Sequence, residues 1–147
     1  MRIKLLSILS GAVLSTACFY AFNSKAVSPE IPNLIGDWRV EAEGASLLHG
    51  TSYSKTSHHA ERFTTFSAIA SIEEQVGRRI AGVITSPRHS EKFVGVIGLD
   101  GKSLIYVDED GVFLGKIVSP DLIVYEYNHV HDNESVVASG SYARINK

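Results

Sequence analysis

The stretch Gly36–Gly44, GDWRVEAEG, sets Trp38, Val40 and Ala42 against Asp37, Arg39, Glu41 and Glu43 in strict alternation. A period of two belongs to an extended strand with one apolar and one wet face. The single tryptophan of the chain heads the apolar stripe. It is therefore expected to point into a core.

The same punctuation continues downstream. A polar segment rich in Ser, Thr and His runs from Ala45 to about Arg62, the longest stretch without a strand pattern. Thr64–Gln75 then places Phe66, Ala68, Ala70 and Ile72 on one face and Ser67, Ser71 and Glu73 on the other, before a turn centred on Gln75 to Arg78. Further strands are expected at Arg79–Thr85, Lys92–Gly98, Lys102–Val107, Val112–Val118, Asp121–Tyr127 and Ser135–Ile145. Asp108–Gly111 between them reads as a tight turn, with Gly111 free to take a positive φ. About eight short strands at this spacing signal a barrel or a sandwich. Because most connections are only a few residues long, consecutive strands must be antiparallel neighbours, and closing the meander removes its edges. The expected fold is all-β: an antiparallel up-and-down barrel of about eight strands, preceded by an N-terminal signal segment. Gly82, Gly95, Gly115 and Gly140 fall inside strands, where glycine either permits the sharp bends of a small barrel or is merely tolerated.

The chain has 147 residues, 44% hydrophobic and 20% charged, with a formal net charge of −2. One globular domain is expected, and no basic surface that would favour nucleic acid. At the N-terminus, Arg2 and Lys4 precede a nearly uncharged run from Leu5 to Phe22, with small residues at Ser24 and Ala26. That is the export pattern, giving a signal peptide at 1–26, a linker at 27–35 and a barrel at 36–147. Two alternatives stay open: an uncleaved membrane anchor through residues 5–22, or lipidation at Cys18. With the leader cleaved, the mature chain has no membrane span and no cysteine, leaving His, Asp and Glu as the only strong metal ligands.

Gly36 and Trp38 at the head of the first strand, followed by a meander of about eight, resemble the calycin group of lipocalins and avidins. The run from Ile72 to Gly111 is also similar to small bacterial β-barrel proteins of unassigned function. The resemblance implies a barrel whose floor the tryptophan closes, with a lid segment after the first strand. It implies no particular ligand residue, and the disulfide common in lipocalins is absent.

For chemistry, the six histidines are expected outside the strand cores. His129 and His131, in HVH, are weak metal candidates that share one face of an extended segment, with His58 or His59 as a third ligand. Asp100 and the Asp108–Asp110 group flank one strand, so they belong to opposite ends of the barrel and cannot share an ion. Glu73 and Glu74 are adjacent and fall on opposite faces, which opposes a paired acid and base. There is no nucleophile elbow, P-loop or GxGxxG, and no cofactor is implied. An isomerase or cyclase of the barrel type leaves no local motif. Binding is the stronger expectation: a small apolar or amphipathic ligand in the barrel mouth, touched by Trp38, Phe66, Tyr106, Tyr125 and Tyr127. The alternative partner is a protein, as for a surface or periplasmic hydrolase inhibitor. Tyr125 and Tyr127 share a face, expected to pack inward with the hydroxyls reaching the rim. A lumen filled by large side chains would leave no room for a ligand deep inside.

Overall fold

A computed structural model describes residues 29–49, 62–132 and 134–145. Eight strands follow in order: β1 Gly36–Leu48, β2 Phe63–Val76, β3 Arg79–Thr85, β4 Ser90–Ile97, β5 Ser103–Val107, β6 Val112–Ser119, β7 Leu122–Val130 and β8 Glu134–Arg144. Each pairs antiparallel with the next, and β1 closes onto β8, giving a closed eight-stranded barrel. The closing seam is long: β1 and β8 are in register from Trp38 opposite Arg144 to Leu48 opposite Glu134.

That seam corrects the reading of the first strand. Ala45–Leu48 look polar and loop-like in sequence, yet β1 extends through them because β8 supplies a partner for each. Alternation continues as well, with Ser46 buried and Leu47 exposed. At the other end of β2, the register shifts between Ile72 and Glu74. This bulge breaks the alternation and leaves Glu73 and Glu74 both exposed, where unbroken pleating would have put them on opposite faces.

The lumen is filled through its lower and middle layers. Leu34, Trp38, Ile72, Ile80, Ile97, Leu104, Ile117 and Ile123 pack the base, and Phe93, Tyr106, Phe113, Tyr125 and Tyr142 the centre. Gly82, Gly95 and Gly140 make this possible by giving up volume that a side chain would occupy. Gly82 lies opposite Phe93, Gly95 opposite Tyr106, and both Gly115 and Gly140 opposite Tyr125. A Cβ at Gly95 would stand 2.6 Å from the Tyr106 Cβ, and one at Gly140 would stand 2.9 Å from the Tyr125 ring. Phe93, Tyr106 and Tyr125 therefore each lie across a bare cross-strand partner.

Trp38 closes the floor. It is 0% exposed, and its indole Nε1 donates to the Leu34 carbonyl at 3.0 Å. The Arg144 guanidinium sits 4.2 Å from its ring centroid and donates to the carbonyls of Asn33, Ile35 and Pro120. Residues 29–35 thus cap the base. The Gln75 amide reinforces them, accepting from the Leu34 N–H and donating to the Pro32 carbonyl, both at 2.8 Å. Gly36 takes φ 127° to turn this cap into β1, and Gly77 takes φ 61° in the β2–β3 turn, values that favour glycine.

Candidate functional site

The two ends of the barrel differ in chemistry. The base is sealed by the tryptophan and its cap, whereas the opposite mouth gathers titratable side chains from three strands. Alternation brings them there: each is the next inward position beyond an apolar one. On β4, Glu91 precedes Phe93; on β8, Glu134 precedes Val136; on β7, His129 follows Tyr125 and Tyr127. Glu91, Glu134 and His129 are only 2%, 4% and 7% exposed.

The five ligand-facing residues expected from sequence all lie on the inner face, at different depths. Trp38 belongs to the sealed floor. Tyr106 and Tyr125 fill the middle, where the Tyr106 and Tyr142 hydroxyls hydrogen-bond to each other. Phe66 and Tyr127 lie higher, packed against the core and half-buried. Aromatic rings climb from the centre to the rim: Tyr106 stacks on Phe113 at 4.1 Å, Phe113 contacts Tyr127 at 4.3 Å, and Tyr127 meets His129 at 5.5 Å. Inward packing of Tyr125 and Tyr127 agrees with the sequence reading. Gly111 has no positive φ, contrary to expectation. Its missing side chain instead admits Tyr127, whose ring would lie 2.5 Å from a Cβ there.

His129 is a correction. The sequence places it outside the strand cores with the other histidines, but β7 runs on to Val130 and turns it into the lumen. Its Nδ1 shares a hydrogen bond of 2.7 Å with the Tyr127 hydroxyl. Desolvation, with help from neighbouring His131, depresses its pKa and favours the neutral ring. Burial also lifts Tyr127, Tyr125 and the Tyr106–Tyr142 pair, so all four stay protonated at neutral pH. Asp108, in the β5–β6 turn, is pushed up to about 6, chiefly by desolvation; the charges of Glu91 and Asp110 add to this, while hydrogen bonds from the Gly111 and Asp110 amides oppose it.

His129 Nε2 and Glu134 Oε2 are buried without a hydrogen-bond partner among the described residues. Burying such atoms unpaired costs roughly 1–3 kcal/mol each, so they mark the place where a further group is wanted. Sequence reasoning missed Glu91 and Glu134. The available signal was the inward stripe itself, extended one step past its last apolar member.

As for a metal, the His129 and His131 rings do share a face, 5.0 Å apart. His131 Nε2, however, lies 2.8 Å from the Asp110 carbonyl. Among the described residues no three metal-ligating side chains converge. His58 and His59 lie outside the described residues. Asp100 sits in the β4–β5 turn at the base, the opposite end from Asp108, as the connectivity requires. Hydrogen bonds from the Ser103 and Lys102 amides and the Ser103 hydroxyl lower its pKa to about 2.

An open groove of about 740 Å³ lies on the outer wall and includes Val94, Val96, Ile105 and Val107. Among the described residues it has none of the buried, unpaired polar atoms of the mouth, and Val94, Val96, Ile105 and Val107 are exposed on the outer face. Among the described residues no helix is long and apolar enough to cross a membrane.

No protein-family model matches the chain, and no curated protein matches it. Among solved structures it is similar to the S-type phycobiliprotein lyase CPES from Guillardia theta, at 9% identity and a TM-score of 0.36, covering 78% of this chain and 89% of that one. A likeness of that degree carries neither ligand nor site residues across.

Proposed function

We propose that this protein is an exported binding protein that holds one small amphipathic molecule at the barrel mouth. The observation that carries the reading is a pair of buried polar atoms with no hydrogen-bond partner among the described residues, His129 Nε2 and Glu134 Oε2, above a packed aromatic floor. The filled lumen confines the ligand to the upper layer. Its apolar part lies on Phe66, Phe113 and Tyr127, and its polar group meets His129 and Glu134. Tyr106, Tyr125 and Trp38 support that floor from below without touching the ligand. Export rests on the charged start and apolar run of residues 1–26.

Titration with N-phenyl-1-naphthylamine, a neutral apolar reporter, tests the site. Saturable enhancement at one equivalent is expected. Ala138→Trp should abolish it, because Ala138 faces inward opposite Tyr127 and is half-buried at this level. A folded barrel that shows no saturable enhancement, or a variant that binds as the parent does, would refute the reading. Native mass spectrometry of protein from its own host tests export: a mass beginning at Val27 is expected, and one retaining Met1 would count against cleavage.

A further inference from the structure

We infer that the protein pairs with a second copy of itself through the outer wall of β4, β5 and β6, the two barrels lying antiparallel. The inference concerns a surface remote from the lumen and holds whatever the mouth binds.

The outer wall is not uniform. On β1, Arg39, Glu41 and Glu43 face solvent, in register with Thr65 and Ser67 of β2 and with Ser139 and Ser141 of β8. That side is polar, as a wetted sheet face should be. On the far side of the barrel, Val94, Val96, Ile105, Val107, Val112 and Leu114 are between 37% and 58% exposed. Strand register makes them one patch: Val94, Val107 and Val112 form one cross-strand row, and Val96, Ile105 and Leu114 the next. The outer groove shares Val94, Val96, Ile105 and Val107 with it. Single exposed apolar side chains are ordinary, but two adjoining rows with no polar member mark a surface that is covered.

Charge at the two ends of the patch decides what covers it. Beyond the first row, toward the mouth, the β5–β6 turn carries Glu109 and Asp110; beyond the second, toward the base, stand Lys102 and Lys116, both exposed. A two-fold axis drawn between the rows and parallel to them lays each row on the other row of a second copy. Val107 then meets Ile105, and Val112 meets Leu114. On β6, Lys116 and Asp110 lie three residues to either side of Phe113; on β5, Ser103 and Glu109 lie three to either side of Tyr106, and Ser103 is the registered neighbour of Lys116. The axis therefore sets Lys102 and Lys116 of each copy against Glu109 and Asp110 of the other, and symmetry repeats the contact. A parallel pairing would set carboxylates against carboxylates. A face that carries its own complement in this order fits a second copy rather than a partner of uniform charge. Asp110 already lies 3.6 Å from His131, so Glu109 is the residue to exchange.

Sedimentation velocity of the protein from its own host, between about 1 and 100 μM, tests the pairing. A monomer–dimer equilibrium that weakens with added salt is expected. Ile105→Lys, at the centre of the patch, should weaken the dimer by roughly 100-fold and leave the circular dichroism spectrum unchanged. Glu109→Lys and Lys116→Glu should each weaken it by roughly 10-fold, and the double exchange should recover much of that loss, because opposite charges then meet again in both copies. Both charge variants lie at exposed positions, so they decide the matter even if Ile105→Lys does not fold. A parent that stays monomeric throughout, a dimer that survives Ile105→Lys in a folded protein, or a double exchange that associates no better than the single variants overturns the inference.

Discussion

Replacing Gly82 by alanine adds one methyl group where the barrel has no room. A Cβ at Gly82 would lie 2.1 Å from the Ser71 carbonyl oxygen, 2.8 Å from the tip of the Phe93 ring and 3.1 Å from the Ile72 Cα. Two of these are backbone atoms of the neighbouring strand β2, so a side-chain rotation cannot relieve the clash; β2 and β3 must separate. Overpacking of this kind costs about 1–3 kcal/mol. Against it stands a gain of roughly 0.5–1 kcal/mol, because alanine restricts the unfolded chain more than glycine and Gly82 has no positive φ to lose. The net expectation is a loss of about 1–2 kcal/mol. At Gly115 the nearest atoms lie at 3.4 Å, an ordinary contact, so Gly115→Ala keeps the entropic gain without the clash and should be neutral or slightly stabilising. Urea unfolding followed by Trp38 fluorescence and circular dichroism reads both. With a slope of about 1–2 kcal/mol per molar for a domain of this size, the Gly82→Ala midpoint should fall by roughly 1 M. If Gly82→Ala unfolds at the parental midpoint, or if the two variants shift alike, the pairing of bare glycines with aromatic rings does not govern the packing of this lumen.

Arg144→Leu should destabilise the barrel by roughly 2–4 kcal/mol, because it removes the cation over Trp38 and unties three carbonyls of the base at once; lower urea midpoints with red-shifted tryptophan emission would show it, and unchanged emission would contradict it. Asp108 should make stability fall as pH rises. Its folded-state pKa of about 6 exceeds the ordinary 3.8, so between those values the unfolded chain releases the proton first, the penalty grows through that window and stays constant above it. Asp108→Asn should therefore raise stability at pH 7.5 and leave it unchanged at pH 3.5, as measured by urea midpoints at both; equal effects at the two would refute the assignment.

Much of the architecture was legible because strand periodicity is local. The alternation around Trp38 fixed which way the indole points, and the short connections made neighbours antiparallel. They also placed Asp100 and Asp108 at opposite ends. Boundaries failed where a partner strand, rather than the segment itself, completes the pairing. Ala45–Leu48 became strand because β8 reaches them, and His129 turned inward because β7 runs three residues past Tyr127.

What the sequence by itself determined was the number, order and inner face of the strands, since a period of two can be read from neighbours along the chain. Only the tertiary structure decided that Phe93, Tyr106 and Tyr125 lie over glycines in a filled lumen, and that Tyr127, His129, Glu91 and Glu134 come together at one mouth. Those contacts cross the lumen between residues far apart in the chain. They depend on how the closing seam staggers one strand against the next, a displacement that leaves no mark on any single segment.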